Sequence, residues 1–339
     1  MRVRIEDVAR CVGVSSKTVS RVLNNEPNVR PAMRERIMEA VKTLGYQPNA
    51  SARSLASSRS FLIALLYDNP SPYYMMEVQN GVLEACDARR YSMMVRPLPS
   101  EAPDFLDRVD ALLSQFQPDG LVMTPPITDH AGLLERLHMR GVPYARISPK
   151  NREQGVGATL DERAAACEMV CHLASLGHRR IAHVTGHPAH GASGWRLLGY
   201  RDGLDRAGLP HDPALVVEGL FSFESGVAAA RRLLALPQRP TAVFAGNDDT
   251  AAGVLWAAAA QGLSVPDDLS VCGFDDTPLS RQVWPSLTTV CQPSQDMGRI
   301  AAQQLLRAID GAEGRVVSVP YALRLRKSTG PAPADRPDR

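Results

Sequence analysis

The sequence predicts a small all-helical module followed by a larger α/β unit of two doubly wound lobes, and three observations carry this prediction. At 339 residues the chain exceeds what one hydrophobic core usually serves. Residues 1–60 carry 11 Lys and Arg against 5 Asp and Glu, a net of +6, whereas the other 279 residues carry 27 against 31, a net of −4. From Phe61 the apolar pattern changes from helical faces to short apolar runs alternating with helical stretches, the mark of βα units.

The 44% apolar and 22% charged composition excludes a disordered or fibrous chain. No run of about 18 apolar residues suggests a membrane span. The start, Met1-Arg2-Val3-Arg4 followed by Glu6 and Asp7, has no apolar signal region, so a cytoplasmic protein is expected. Cys11, Cys86, Cys167, Cys171, Cys272 and Cys291 form no paired framework and read as reduced thiols. His178, His183, His187 and His190 crowd one stretch near Cys167 and Cys171, but without the ligand spacing of a closed metal site, so no metal and no cofactor is expected.

In the first module, Ile5, Val8 and Ala9 share one helical face, Gly13 supplies a permissive turn, and Val19, Val22 and Leu23 form a second face. Ser15 suits the cap of that second helix, whose Ser16, Lys17, Ser20 and Arg21 point outward. A third helix is predicted from Pro31 to Leu44, with Ile37, Ala40, Val41 and Leu44 inward and Gly45 as its stop. A basic three-helix bundle on an acidic partner fits a module that meets a polyanion, although any small bundle with a solvated basic face would share the spacing. Residues 49–55 start a short segment with too little apolar surface to fold alone.

The runs Ile5-Glu6-Asp7-Val8-Ala9, Gly13-Val14-Ser15, Thr18-Val19-Ser20-Arg21-Val22-Leu23-Asn24, Leu44-Gly45-Tyr46-Gln47-Pro48-Asn49 and Ala52-Arg53-Ser54-Leu55 resemble the lactose/galactose repressor (LacI/GalR) family. The resemblance implies a helix-turn-helix DNA-binding headpiece over residues 1–48, a hinge helix and linker over 49–60, and a periplasmic-binding-protein-like type I core over 61–326, while the Pro-, Asp- and Arg-rich composition of 327–339 predicts a disordered tail. It further implies DNA contacts from Ser15, Ser16, Lys17, Thr18, Ser20, Arg21 and Asn24, of which Ser16, Lys17 and Arg21 reach base edges in the major groove. Asn49, Ala52, Arg53 and Leu55 would act from the hinge in the minor groove, Leu55 as a wedge. Lys and Arg suit guanine O6 and N7, and an apolar wedge can unstack a base step. Arg4 departs from the Ser or Thr helix cap that the family more often carries, which costs local helix stability.

In the large unit, strands are expected at 61–67, 92–95, 120–123, 142–147, 155–159, 181–185, 214–218, 242–245, 269–273 and 287–290. Helices are expected near 73–90, 104–116, 130–140, 162–176, 195–207, 224–236, 249–261 and 295–309. That is too many strands for one small sheet, so two lobes should flank a cleft, with ligand at the strand C-terminal ends. The resemblance continues through Gly177-His178-Arg179-Arg180-Ile181, Arg196-Leu197-Leu198-Gly199-Tyr200, Ala245-Gly246-Asn247-Asp248, Gly273-Phe274-Asp275-Asp276 and Pro285-Ser286-Leu287-Thr288-Thr289-Val290.

Residues at strand ends form a candidate effector set of Asp68, Tyr73, Arg146, Asp161, Arg196, Phe221, Asn247, Asp275 and Gln292. The resemblance implies effector contact by Arg196, Asn247, Asp275 and Gln292, and an aromatic floor at Phe221. Carboxylate, amide and guanidinium around an aromatic face suit vicinal hydroxyls. Asp275 and Asp276 could instead end a strand, Phe221 could be core, and Asn247 could open a helix.

A transcription regulator that binds a pseudo-palindromic operator as a homodimer or higher oligomer, under a mono- or disaccharide or a purine, is thus expected. A sugar receptor would need a signal peptide and no basic headpiece. An enzyme would need chemistry that is missing: Gly191-Ala192-Ser193-Gly194-Trp195 is no nucleophile elbow, and Gly155-Val156-Gly157 lacks the rest of a dinucleotide fingerprint.

Overall fold

The computed structural model describes residues 3–23, 27, 29–46, 59–152 and 155–333. Asn24 and the expected hinge residues Asn49, Ala52, Arg53 and Leu55 lie outside the described residues. The chain divides into two compact units, residues 1–61 and 62–339.

The first unit holds α1 (Ile5–Val12), α2 (Ser16–Leu23) and α3 (Pro31–Leu44). Val8, Val12, Val19, Val22 and Ile37 close a small core, with Val41 and Leu44 packed on it. Gly13 ends α1 at φ 75°, a left-handed turn that a Cβ would strain, and its N–H donates to Ala9 O at 2.9 Å. Arg4 has no acceptor with which to cap α1. Asp7 compensates: its Oδ2 accepts the Arg4 backbone N–H at 2.9 Å. Arg34 and Arg36 on α3 donate to Val22 O at 3.2 Å and Val12 O at 3.4 Å, so these two cations satisfy the carbonyl ends of α2 and α1.

The second unit contains two six-stranded sheets. Lobe 1 pairs β1 (Leu62–Tyr67), β2 (Ser92–Pro97), β3 (Gly120–Met123), β4 (Tyr144–Ile147), β5 (Gly157–Thr159) and β11 (Val316–Ser318) in the order β11-β5-β4-β3-β1-β2. Lobe 2 pairs β6 (Ile181–Val184), β7 (Val216–Val217), β8 (Ala242–Ala245), β9 (Ser270–Asp275), β10 (Thr288–Cys291) and β12 (Ala322–Arg324) in the order β12-β10-β9-β8-β6-β7. Every pairing is parallel except β10 with β12. The central strands are buried throughout, as sheets covered on both faces require.

Helices α4 (Pro72–Ala88), α5 (Phe105–Phe116), α6 (Ala131–Met139) and α12 (Ser294–Ile309) belong to lobe 1, and α7 (Glu162–Ser175), α8 (Gly191–Arg206), α9 (Phe223–Leu234), α10 (Asp248–Ala260) and the short α11 (Leu279–Gln282) to lobe 2. The chain therefore passes between the lobes after β5, after β10 and after β11. α12 returns to lobe 1 and packs against α4 so closely that a Cβ on Gly81 would lie 1.9 Å from Gln295 O.

Two expectations need correction. Strands β11 and β12 were not expected, because each has three residues, half-buried or exposed, with no apolar run to mark it. The tail expected to be disordered from residue 327 is ordered through residue 333. The Ser328 hydroxyl is buried, donates to Val271 O at 2.6 Å and accepts from the Thr288 N–H at 2.8 Å, and Ala332 N donates to Leu176 O.

Candidate functional site

The C-terminal ends of β1, β4, β6, β7, β8, β9 and β10 face one another across the interlobe cleft. Four residues there hold left-handed backbone without being glycine: Ser148 at φ 46°, Phe221 at 60°, Asp275 at 115° and Asp276 at 58°. Such conformations cost of order 1–3 kcal/mol each and concentrate where side chains must be aimed at a ligand.

Arg196, on α8, is the centre of the cleft. Its Nη1 donates to Gly246 O at 2.5 Å and its Nη2 to Gln292 Oε1 at 3.0 Å, while Asp275 Oδ1 stands 3.8 Å away. The guanidinium lies 3.6 Å from the Phe274 ring centre and 5.7 Å from that of Phe221. Asp275 is 6% exposed and accepts no hydrogen bond on its carboxylate from the described residues. Burial pushes its pKa well above the ordinary carboxylate value, outweighing the pull of Arg196, and lowers that of the guanidinium. Phe221 sits flat over Gly186, where a Cβ would lie 1.8 Å from the ring. Asn247 opens α10: its Oδ1 accepts from Thr250 N at 2.9 Å and its Nδ2 donates to Phe221 O at 3.0 Å. The amide thus both caps a helix and holds the aromatic floor.

These side chains surround a cavity of about 30 Å³ that Asn69, Ser71, Tyr74, Ser148 and His190 complete. An adjoining chamber of about 390 Å³ is lined by Asp68, Ser100, Glu101, His187 and Leu220, and shares Asn69 and His190 with the first.

Of the nine residues expected to form the effector set, Arg196, Phe221, Asn247, Asp275 and Gln292 line the inner cavity and Asp68 the outer chamber. The other three point elsewhere. Tyr73 donates to Gln282 at 3.5 Å, and its neighbour Tyr74 turns inward instead, because it shares the buried face of α4 with Val78 and Val82. Arg146 lies within lobe 1 beside Asp129 at 3.7 Å and donates to Asn151 O at 3.2 Å. Asp161 is exposed and caps α7 through Ala164 N at 3.0 Å, while Glu162 is buried against Arg152. Sequence reasoning missed His190, whose place just after β6 was the available signal. The imagined histidine cluster is divided by the fold: His178 bonds Thr241, Ser270 and Gly330, and His183 bonds Phe244 O.

On the first unit, Lys17 and Arg21 are exposed on α2, while Ser16, Thr18 and Ser20 are half-buried. Ser15 Oγ accepts from Thr18 N at 3.2 Å and shares a 2.9 Å hydrogen bond with Thr18 Oγ1, so this pair caps the helix. Among the described residues no helix is long and apolar enough to cross a membrane.

Comparison with known proteins identifies both units. Residues 4–49 match the family of bacterial regulatory proteins, lacI family, and residues 170–329 match the periplasmic binding protein-like domain. Catabolite control protein A of Priestia megaterium is 34% identical over 336 residues, covering 97% of this chain and 100% of the relative. A complex of the transcriptional regulator CelR with cellobiose superposes with a TM-score of 0.75 at 31% identity, covering 96% of this chain and 100% of that one. A lac repressor dimer bound to operator and the anti-inducer ONPF gives 0.79 at 27% identity, covering 97% and 100%. These relatives are DNA-binding regulators rather than enzymes, and the chain belongs to the LacI family of bacterial transcription regulators, with a helix-turn-helix headpiece and a two-lobed periplasmic-binding-protein-like core.

Proposed function

We propose that this regulator is a cytoplasmic repressor that binds a pseudo-palindromic operator as a homodimer and is controlled by a sugar held between its lobes. One observation carries the effector reading: a buried Asp275 carboxylate that accepts no hydrogen bond from the described residues, and a buried Arg196 guanidinium 3.8 Å from it, face one cavity over the Phe221 ring. A carboxylate without a donor is costly to bury, and vicinal hydroxyls supply two donors to it at once. The cellobiose of the CelR complex supports the same ligand class. One headpiece offers one recognition helix, so two-fold symmetry calls for two half-sites. Ser16, Lys17 and Arg21 are assigned to base edges, and Ser15, Thr18 and Ser20 to the capped end and flank of the same helix. Asn24 and the hinge residues Asn49, Ala52, Arg53 and Leu55 complete the DNA-facing set.

A thermal-shift screen of mono- and disaccharides against nucleobases and nucleosides tests the effector class, because a ligand of the folded state raises the Tm by linkage. The expected result is a rise with at least one sugar. A rise with a purine alone, and a flat response to every sugar, would replace sugar by purine.

A further inference from the structure

Two of the six cysteines meet on one helix, away from the cleft. Cys167 and Cys171 are one turn apart on α7, and residues at that spacing share a helix face with Cβ atoms about 5–6 Å apart. The Cys171 thiol hydrogen-bonds with that of Cys167 and also donates to Gly203 O on α8, at 3.9 Å. Cys167 is 1% exposed and Cys171 is half-buried, so solvent reaches the pair from the Cys171 side.

The seam between α7 and α8 fixes where the sulfurs stand. Added Cβ atoms on Gly199 and Gly203 of α8 would lie 2.1 Å from Arg163 O and 2.9 Å from Cys167 O, so the two backbones touch and α7 has no room to shift. Arg163 on α7 also holds Asp202 on α8 through Nε and Nη2, at 2.5 and 2.8 Å. A dithiol held this way loses little freedom on closing around an ion.

Chemistry narrows the ion. Among the described residues, no third His, Cys, Asp or Glu joins the two thiols in a group that could hold a metal. That excludes Zn(II), which takes four ligands, and iron–sulfur clusters, which take four cysteines. Thiolates select soft ions, and of these Cu(I) is satisfied by two sulfurs. Disulfide formation fits less well. Burial, with the Cys171 thiol adding to it and Arg206 opposing, pushes the Cys167 pKa above its ordinary value, so the thiolate that would attack a peroxide is scarce. A soft ion instead displaces the protons, and the nearby Arg206 guanidinium offsets the negative charge of the resulting bis-thiolate.

We infer that Cys167 and Cys171 form a dithiol site for a two-coordinate soft ion, Cu(I), on the α7–α8 seam. Each thiol releases its proton to solvent as its S–Cu bond forms, and the copper stays in the +1 state. The test is anaerobic titration of the full-length protein with Cu(I) in competition with bathocuproine disulfonate, with Zn(II) in a parallel arm. Wild type should hold one Cu(I) per chain at this site. Cys171→Ser, at the half-buried position, and Cys167→Ala should each weaken that binding about a hundredfold or more, the gain that linking two ligands gives. Joint replacement of Cys11 and Cys291 by Ser removes the other two cysteines that are not buried, and should leave Cu(I) binding as in wild type. The metal-free Tm of Cys171→Ser checks that it is folded, and this variant decides the matter alone should Cys167→Ala fold poorly. No Cu(I) binding by wild type, or undiminished binding in Cys171→Ser, would overturn the assignment. Loss of binding on replacing Cys11 and Cys291 would move the site elsewhere. Zn(II) held as tightly as Cu(I) would reveal further ligands and overturn the two-coordinate reading.

Discussion

His190 shows how a single side chain joins fold and site. Burial pushes its pKa down to about 3, with the His187 ring adding to that and Asp68 opposing it. Its unfolded value is the ordinary one of about 6.5, so between about pH 3 and 6.5 the unfolded chain binds a proton that the folded chain refuses. Stability linked to this group therefore rises with pH through that window and is complete above it. His190→Gln removes the linkage. Moving from pH 5 to pH 8, wild type should gain about 2 kcal/mol relative to the variant, at 1.36 kcal/mol for each unit of the window crossed. Urea unfolding at the two pH values reads the difference directly, and equal responses would show that His190 is not neutral and buried in the folded protein. The buried acids run the other way. Burial raises Asp248 to about 7 although Thr277 and Thr289 donate to it, so its contribution falls as pH rises from about 4 to 7. A variant comparison is needed because the two opposing slopes conceal each other in wild type.

At the scale of elements, helix α2 carries sequence reading in the function proposed above, and the α4–α12 contact carries the architecture of lobe 1. Lys17 is exposed on α2, away from the Val19 and Val22 face that packs into the headpiece core. Lys17→Ala should cost about 1–3 kcal/mol at one operator position, as a lost base contact does. Equal weakening on operator and random DNA in a competition titration would reassign Lys17 to phosphate. Between α4 and α12, Gly81 approaches the Gln295 carbonyl and Gly298 approaches that of Val78, where added Cβ atoms would lie 1.9 and 2.4 Å away. Gly81→Ala must push the helices apart, at a cost of about 1–3 kcal/mol in the urea unfolding free energy. No loss would mean that the helices separate freely.

Much of this was legible in the sequence, and what was missed has definite causes. The buried parallel strands read clearly because each is an uninterrupted apolar run, as in Leu62–Tyr67. The start of α8 was placed four residues late, because Gly191-Ala192-Ser193-Gly194 has poor helix propensity, yet the structure makes it helical from Gly191. Tyr73 and Tyr74 differ by one position on a helix, and only the buried spacing Tyr74, Val78, Val82 decides which faces inward. Asp161 and Glu162 present the same problem at the start of α7, resolved by the cap that Asp161 makes. Arg196 and Asp275 were reached through resemblance, since nothing local in their sequence says that β9 and α8 meet.

At the scale of the whole molecule, three chain crossings join the lobes, and the effector candidates come from both sides of the cleft. A ligand that bridges Asp275 in lobe 2 and Ser71 or Tyr74 in lobe 1 can bias the separation of the lobes, and only such differential contact can shift an equilibrium. In the function proposed above, residues 49–55, which resemble a hinge helix and have too little apolar surface to fold alone, would supply the link to DNA with Leu55 as the wedge. The central claim is that cleft and operator are thermodynamically coupled. The most direct test is titration of labelled operator with wild type and with Asp275→Asn, each with and without the ligand that raises the Tm. Wild type should change its operator Kd by about 5- to 150-fold on adding ligand, the range of a 1–3 kcal/mol coupling. Asp275→Asn should bind operator like ligand-free wild type and show no change on adding ligand. A wild-type operator Kd that stays constant at saturating ligand, or an Asp275→Asn protein that responds as wild type does, would contradict the coupling of this cleft to DNA.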